Sequence, residues 1–131
     1  MDKEITMEEK LRGLTLLQQL LESINNNIEE MAEKRALLAG LKVALGQFKA
    51  NENEEILVQF SQGIYVEAKM VDKDRYIVGV GSNTLVEKTR KETEEYITKK
   101  IGEIESSIIE LQSQFRALEE QLIGLYNDVK E

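Results

Sequence analysis

The sequence predicts an α+β chain: a long antiparallel coiled-coil hairpin of two helices joined by two β-hairpins that form an oligomeric β-barrel hub. Three observations predict it. Apolar residues recur at heptad spacing toward both ends of the chain. Between those stretches the apolar period falls to two. The composition, 41% hydrophobic, 32% charged and 5% aromatic, suits solvated helices better than a large globular core. One domain is expected over residues 1–131, with a helix at about 6–51, β-hairpins at about 55–88 and a second helix at about 90–130.

The first helix opens on Thr6-Met7-Glu8-Glu9, the pattern of a capping box. Leu14, Leu17, Leu21, Ile24, Ile28, Met31, Leu38 and Leu45 then follow at alternating steps of three and four. That alternation marks a coiled-coil seam, which Arg35 and Lys42 interrupt. At 1.5 Å per residue such a helix is roughly 65–70 Å long.

The middle of the chain alternates. Ile56, Val58 and Phe60 flank Leu57 and Gln59; Ile64, Val66, Ala68 and Met70 flank Tyr65, Glu67 and Lys69. Tyr76, Val78 and Val80 form a third run, and Thr84 to Glu87 a fourth. β-Branched and aromatic residues favour strands. Turn chemistry separates the runs at Ser61-Gln62-Gly63, Asp72-Lys73-Asp74-Arg75 and Gly81-Ser82-Asn83. Four short strands with short links read as two successive hairpins or a small meander.

The second helix opens on another capping box, Thr89-Arg90-Lys91-Glu92. Its seam is unbroken: Ile97, Ile101, Ile104, Ile108, Leu111, Phe115, Leu118, Leu122, Leu125 and Val129. Two helices of similar length that enter and leave one small sheet fold back on each other most simply as an antiparallel pair. If residue 50 sits near residue 90, Leu17 falls near Ile123 and Leu11 near Val129. Five glycines, Gly13, Gly40, Gly46, Gly102 and Gly124, fall inside the helices and off the seam. Two readings stand for them: neutral substitution on exposed faces, or arms tuned to bend.

The strands pose a problem of cover. Some thirty residues of short strand bury little apolar area and leave open edges. Helices that run off together are expected to leave most of the sheet bare. Hairpins from several chains, closed into a barrel, would solve both problems. The residues expected to assemble are Ile56, Val58, Phe60, Ile64, Val66, Tyr76, Val78, Val80, Leu85 and Val86.

Composition also excludes chemistry. The chain has no histidine and no cysteine, which removes imidazole bases, thiolate nucleophiles, Cys/His zinc sites and disulfides. Gly79-Val80-Gly81 lacks the third glycine of a dinucleotide loop. Glu94-Glu95 and Glu119-Glu120 lie on solvated helical faces, and Asp72-Lys73-Asp74 lacks the remaining ligands of a calcium loop. No enzyme activity, metal or cofactor is expected. The formal net charge is -8 and every segment is acidic, so nucleic acid is an unsuitable partner. Met1 to Thr6 does not read as a signal peptide, and no apolar run reaches the roughly 20 residues of a membrane span. A cytoplasmic location with no membrane partner is expected.

The run Ile56-Leu57-Val58-Gln59-Phe60-Ser61-Gln62-Gly63-Ile64-Tyr65-Val66-Glu67-Ala68-Lys69, then Val78-Gly79-Val80-Gly81 and Val86-Glu87-Lys88-Thr89, resembles prefoldin in its archaeal α class. Related chains often carry a proline and a glycine where this one has Gln59 and Ser61. The resemblance implies a hexamer of two α and four β-class subunits, with hairpins in a double β-barrel and coiled coils projecting from it. It implies an ATP-independent holdase that grips unfolded clients at the coiled-coil tips and passes them to a group II chaperonin. The client-binding candidates are then Ile5, Met7, Leu11, Leu14, Leu122, Ile123, Leu125, Tyr126 and Val129. Leu14, Leu122, Leu125 and Val129 also serve to close the seam, whereas Ile5, Met7, Ile123 and Tyr126 lie off it or past its end. The competing readings are a coiled-coil scaffold or tether, and a filament-forming prefoldin paralogue.

Overall fold

Capping chemistry and heptad spacing set the two helices. A computed structural model of the chain describes residues 6–130. Helix α1 runs Met7–Gln47 and helix α2 runs Arg90–Lys130, 41 residues each. Thr6 Oγ1 accepts the Glu9 N–H at 3.1 Å. At α2 the capping box is reciprocal: Thr89 Oγ1 accepts the Glu92 N–H at 3.1 Å, and Glu92 Oε1 accepts the Thr89 N–H at 2.9 Å.

Every heptad position expected on α2, from Ile97 to Val129, is buried or half-buried. The same holds on α1 for Leu14, Leu17, Leu21, Ile24, Ile28, Met31, Leu38 and Leu45, while Arg35 and Lys42 are exposed. Burial is deepest at Leu21, Leu45, Ile97 and Ile108.

Helix α1 ends four residues before the expected boundary. Gln47 is its last residue, and a turn at Asn51–Glu54 follows, in which Asn53 has φ 65°. The stop has a distant cause. The Arg90 guanidinium donates to the carbonyls of Phe48 at 3.1 Å and Leu45 at 2.5 Å, supplying partners that a further helical turn would otherwise provide.

The strands are β1 Glu55–Ser61, β2 Ile64–Lys69, β3 Tyr76–Gly79 and β4 Leu85–Lys88. They form two separate two-stranded antiparallel sheets, β1 with β2 and β3 with β4. The two-hairpin alternative therefore holds over the meander. In the first hairpin Val58 faces Val66 and Gln59 faces Tyr65, and a bulge at Phe60 shifts the register before Ser61 meets Ile64. Gly63, at φ 80°, supplies the left-handed residue of the turn.

The chain divides into two compact units, one holding the helical segments up to Leu37 and from Ile101, the other spanning Leu38–Lys100. In the first, Gly13 packs against Leu125. That is two residues from the Asn127 that the expected register puts there. In the second, the end of α1 meets the start of α2 through Arg90.

Candidate functional site

Two surfaces carry the residues singled out in the sequence, one in each unit. The hairpin unit is built around the start of α2. Asp74, in the β2–β3 link, accepts the Arg90 N–H at 3.0 Å, and Arg75 pairs with Glu87 of β4. Arg90 also lies 3.6 Å from Glu94, one turn along. The end of α1, the β2–β3 link, β4 and the α2 cap are thus tied through a few polar side chains. Hydrogen bonds from Thr89, its backbone N–H first, hold the Glu92 carboxyl below its ordinary value; the nearby Lys88 charge acts in the same direction.

The two hairpins differ in cover. On the second, Tyr76, Val78, Val86 and Lys88 share a face and are half-buried. Tyr76 and Val78 line a groove of about 520 Å³ together with Leu38, Leu41, Leu45, Tyr96 and Ile97. The helices therefore cover part of the second hairpin, a share that helices running off together were not expected to provide. Arg90 holds the end of α1 to the start of α2 in this unit, and residues of both helices line the groove beside β3. Lys88 and Lys100 place their ammonium groups 5.5 and 5.6 Å from the Tyr96 ring centre. The Tyr76 hydroxyl is buried with no hydrogen-bond partner among the described residues.

The first hairpin is barer. Ile56, Val58, Ile64, Val66 and Ala68 share one face by register and period. Ile56 and Ala68 are half-buried, whereas Val58, Val66 and Ile64 are exposed, and Phe60 at the bulge is 76% exposed. On the opposite face Leu57 stands by Glu67 and Gln59 by Tyr65. Val80 lies just past β3, and Leu85 is exposed on the outer face of the second hairpin.

The helical unit brings together the start of α1 and the end of α2. Leu14, Leu122, Leu125 and Val129 are half-buried in the seam. Met7, Leu11, Ile123 and Tyr126 are exposed, Ile123 by 54% and Tyr126 by 57%. Ile5 lies outside the described residues. Leu11, Leu14, Leu122, Ile123 and Tyr126, with Thr15 and Gln18, line an apolar groove of about 410 Å³. Thr15 and Gln18 escaped the sequence reading because they are polar; only their spacing from Leu11 and Leu14 hints at a shared flank. Leu16 and Leu20 are also exposed, on α1 off the seam.

No group of acidic residues among the described residues could hold a metal ion. No described helix is long and apolar enough to cross a membrane.

Comparison with known proteins places this architecture. The profile of the family described as prefoldin subunit matches residues 17–127. The chain is 32% identical to prefoldin subunit alpha of Thermofilum pendens, over 73% of this chain and 74% of that one. It is 26% identical to a probable prefoldin subunit 5 of Drosophila melanogaster over 70% of this chain, and spans 55% of that relative's length. Among solved structures, filamentous PFD from Methanocaldococcus jannaschii shares the fold with a TM-score of 0.55, covering 92% of this chain and 95% of that one at 21% identity. The profile match runs through all four strands and most of both helices, so the chain belongs to the prefoldin family, as a subunit of its α class.

Proposed function

We propose that residues 1–131 act as one prefoldin-like unit in an ATP-independent holdase. Its hairpins join those of β-class prefoldin subunits, in a hexamer of two α and four β chains. The paired ends of α1 and α2 hold unfolded proteins in the cytoplasm, and the assembly hands them to a group II chaperonin.

The observation that carries this reading is the bare apolar face of the first hairpin, where Val58, Ile64 and Val66 stand exposed side by side. Soluble chains seldom leave such a face uncovered unless a partner takes it. The two-stranded sheets also leave edges open for added strands. At the start of α1 and the end of α2, Leu11, Ile123 and Tyr126 offer apolar surface, with Thr15 and Gln18 the only polar side chains lining the groove and no charged one among the described residues. That suits clients recognised by exposed apolar side chains rather than by sequence. Glu8, Glu9 and Asp128 nearby keep such a surface soluble and favour basic clients.

The test separates assembly from holding. Deleting residues 1–10 and 123–131 should leave the mass of the complex with β-class subunits unchanged, less the deleted residues, and abolish suppression of client aggregation without ATP. Loss of assembly in that variant overturns the division of labour. An intact complex that never suppresses aggregation supports a scaffold instead. A filament-forming paralogue, which the fold of the Methanocaldococcus jannaschii protein brings to mind, would give particles of unlimited length rather than a hexamer.

A further inference from the structure

A Cβ placed on Gly13 would lie 2.9 Å from Leu125 Cδ2, closer than real Cβ contacts come. Leu125 is therefore seated on the bare backbone of α1. The four other helical glycines, Gly40, Gly46, Gly102 and Gly124, have nothing within 4 Å of the same position. Gly13 alone among them uses the missing side chain for a contact.

Resting on the holdase reading above, we infer that Gly13 is a positioning residue of the client site: it seats Leu125 in the seam and so limits how much apolar surface the helix ends offer.

The physical case follows from the neighbours. Leu125 lies on α2 between Leu122 and Tyr126, two of the residues that line the groove, and does not itself line it. It is half-buried, whereas Ile123 and Tyr126 are exposed. A methyl group at position 13 leaves two ways out. Leu125 turns to another rotamer and swings from the seam toward solvent, or the last turns of α2 move away from α1. Either displacement adds apolar area beside the groove. The leucine is the far end of a flexible side chain, so the helices need not unfold to accommodate the change. Against this runs the helix propensity of alanine, which is better than that of glycine in a helix interior. At Gly124 only that gain operates. At Gly13 the gain is opposed by the lost seat, so the two glycines, both near the ends of the pair, form a matched comparison.

The test uses Gly13→Ala, Gly124→Ala, Leu125→Ala and the double variant G13A/L125A in the full chain, assembled with β-class subunits. A reduced, unfolded model client is the probe. G13A should lower several-fold the ratio of complex to client needed to suppress half of the aggregation, and G124A should leave it unchanged. L125A removes the clash, so G13A added to it should have no further effect on holding. Methyl NMR of selectively labelled leucine should show the Leu125 resonances moved in G13A and unmoved in G124A. If G13A and G124A behave alike in both readouts, the inference is overturned. If the Leu125 resonances move but no variant, nor the wild type, holds client, then the seat stands and the holdase reading falls.

Discussion

Arg90 ties several parts of the hairpin unit together. It donates to two carbonyls at the end of α1, lies by Glu94, and its backbone N–H is held by Asp74. Its positive charge also sits at the carbonyl end of α1, where the helix dipole favours it. Arg90→Ala should lower stability by about 1–2 kcal/mol, less than the roughly 1.5–3 kcal/mol of hydrogen bonds to fully enclosed charges because the side chain is partly exposed. Arg90→Lys should recover only part, since an ammonium cannot fork between two carbonyls. Urea denaturation followed by far-ultraviolet circular dichroism measures both. The neighbouring cap gives a pH signature. Glu92 has its folded pKa lowered from an ordinary value of 4.5, chiefly by the Thr89 N–H. A lowered folded pKa means that the stabilisation is complete above the unfolded value and fades as pH falls through the folded one. Glu92→Gln should therefore narrow its stability gap to the wild type as pH drops below about 4.5. A gap that stays constant down to strong acid would remove the cap from the pH response.

At the scale of elements, adjacent isoleucines on α2 test the seam. Ile108 is 6% exposed and Ile109 is 66% exposed. Ile108→Ala should cost about 2–4 kcal/mol, since it leaves a cavity between the helices. Ile109→Ala should change stability by less than about 0.5 kcal/mol, as most surface changes do. Equal costs in urea denaturation would mean that the heptad does not mark the packed face. That face was legible in the sequence because a helix repeats its buried side at steps of three and four, as Ile97 to Val129 do without a break. The α1 boundary was less legible. Its stop depends on Arg90, far along the chain, and no local signal at Phe48–Ala50 announces it. The strands were legible as alternation, but the bulge at Phe60 was not, because alternation records a side chain's neighbours and not its cross-strand partner. The partial cover over Tyr76 and Val78 was missed for a similar reason: it arises from helix residues such as Leu38 and Leu41, whose place beside β3 follows from tertiary contacts. At the helix ends, heptad position was enough to sort exposed Ile123 and Tyr126 from half-buried Leu122 and Leu125. The seat at Gly13 was hidden, since heptad position puts it off the seam and only the packing of the two helices brings Leu125 onto it.

For the whole molecule, the distribution of apolar surface carries the functional argument. The helices bury their seam within the chain. The first hairpin presents one apolar face and one mixed face, and the start of α1 with the end of α2 presents the groove by Leu11 and Tyr126. A net charge of -8 opposes indiscriminate self-association, so the bare hairpin face calls for a partner of matching shape rather than any apolar surface. The two faces of that hairpin separate these possibilities. Ile64 lies on the apolar face and Leu57 on the mixed one beside Glu67. Both are more than half exposed, so lysine at either should cost the isolated chain less than about 0.5 kcal/mol. Lysine at position 64 would, however, bury an unpaired ammonium wherever the apolar face meets another hairpin, a penalty of several kcal/mol. Ile64→Lys should therefore prevent assembly with β-class subunits while the chain keeps its helical circular dichroism, and Leu57→Lys should assemble normally. Native mass spectrometry reads both. Assembly lost through Leu57→Lys and kept through Ile64→Lys would put the joined surface on the mixed face, and with it would go the argument that bare apolar area drives these chains together.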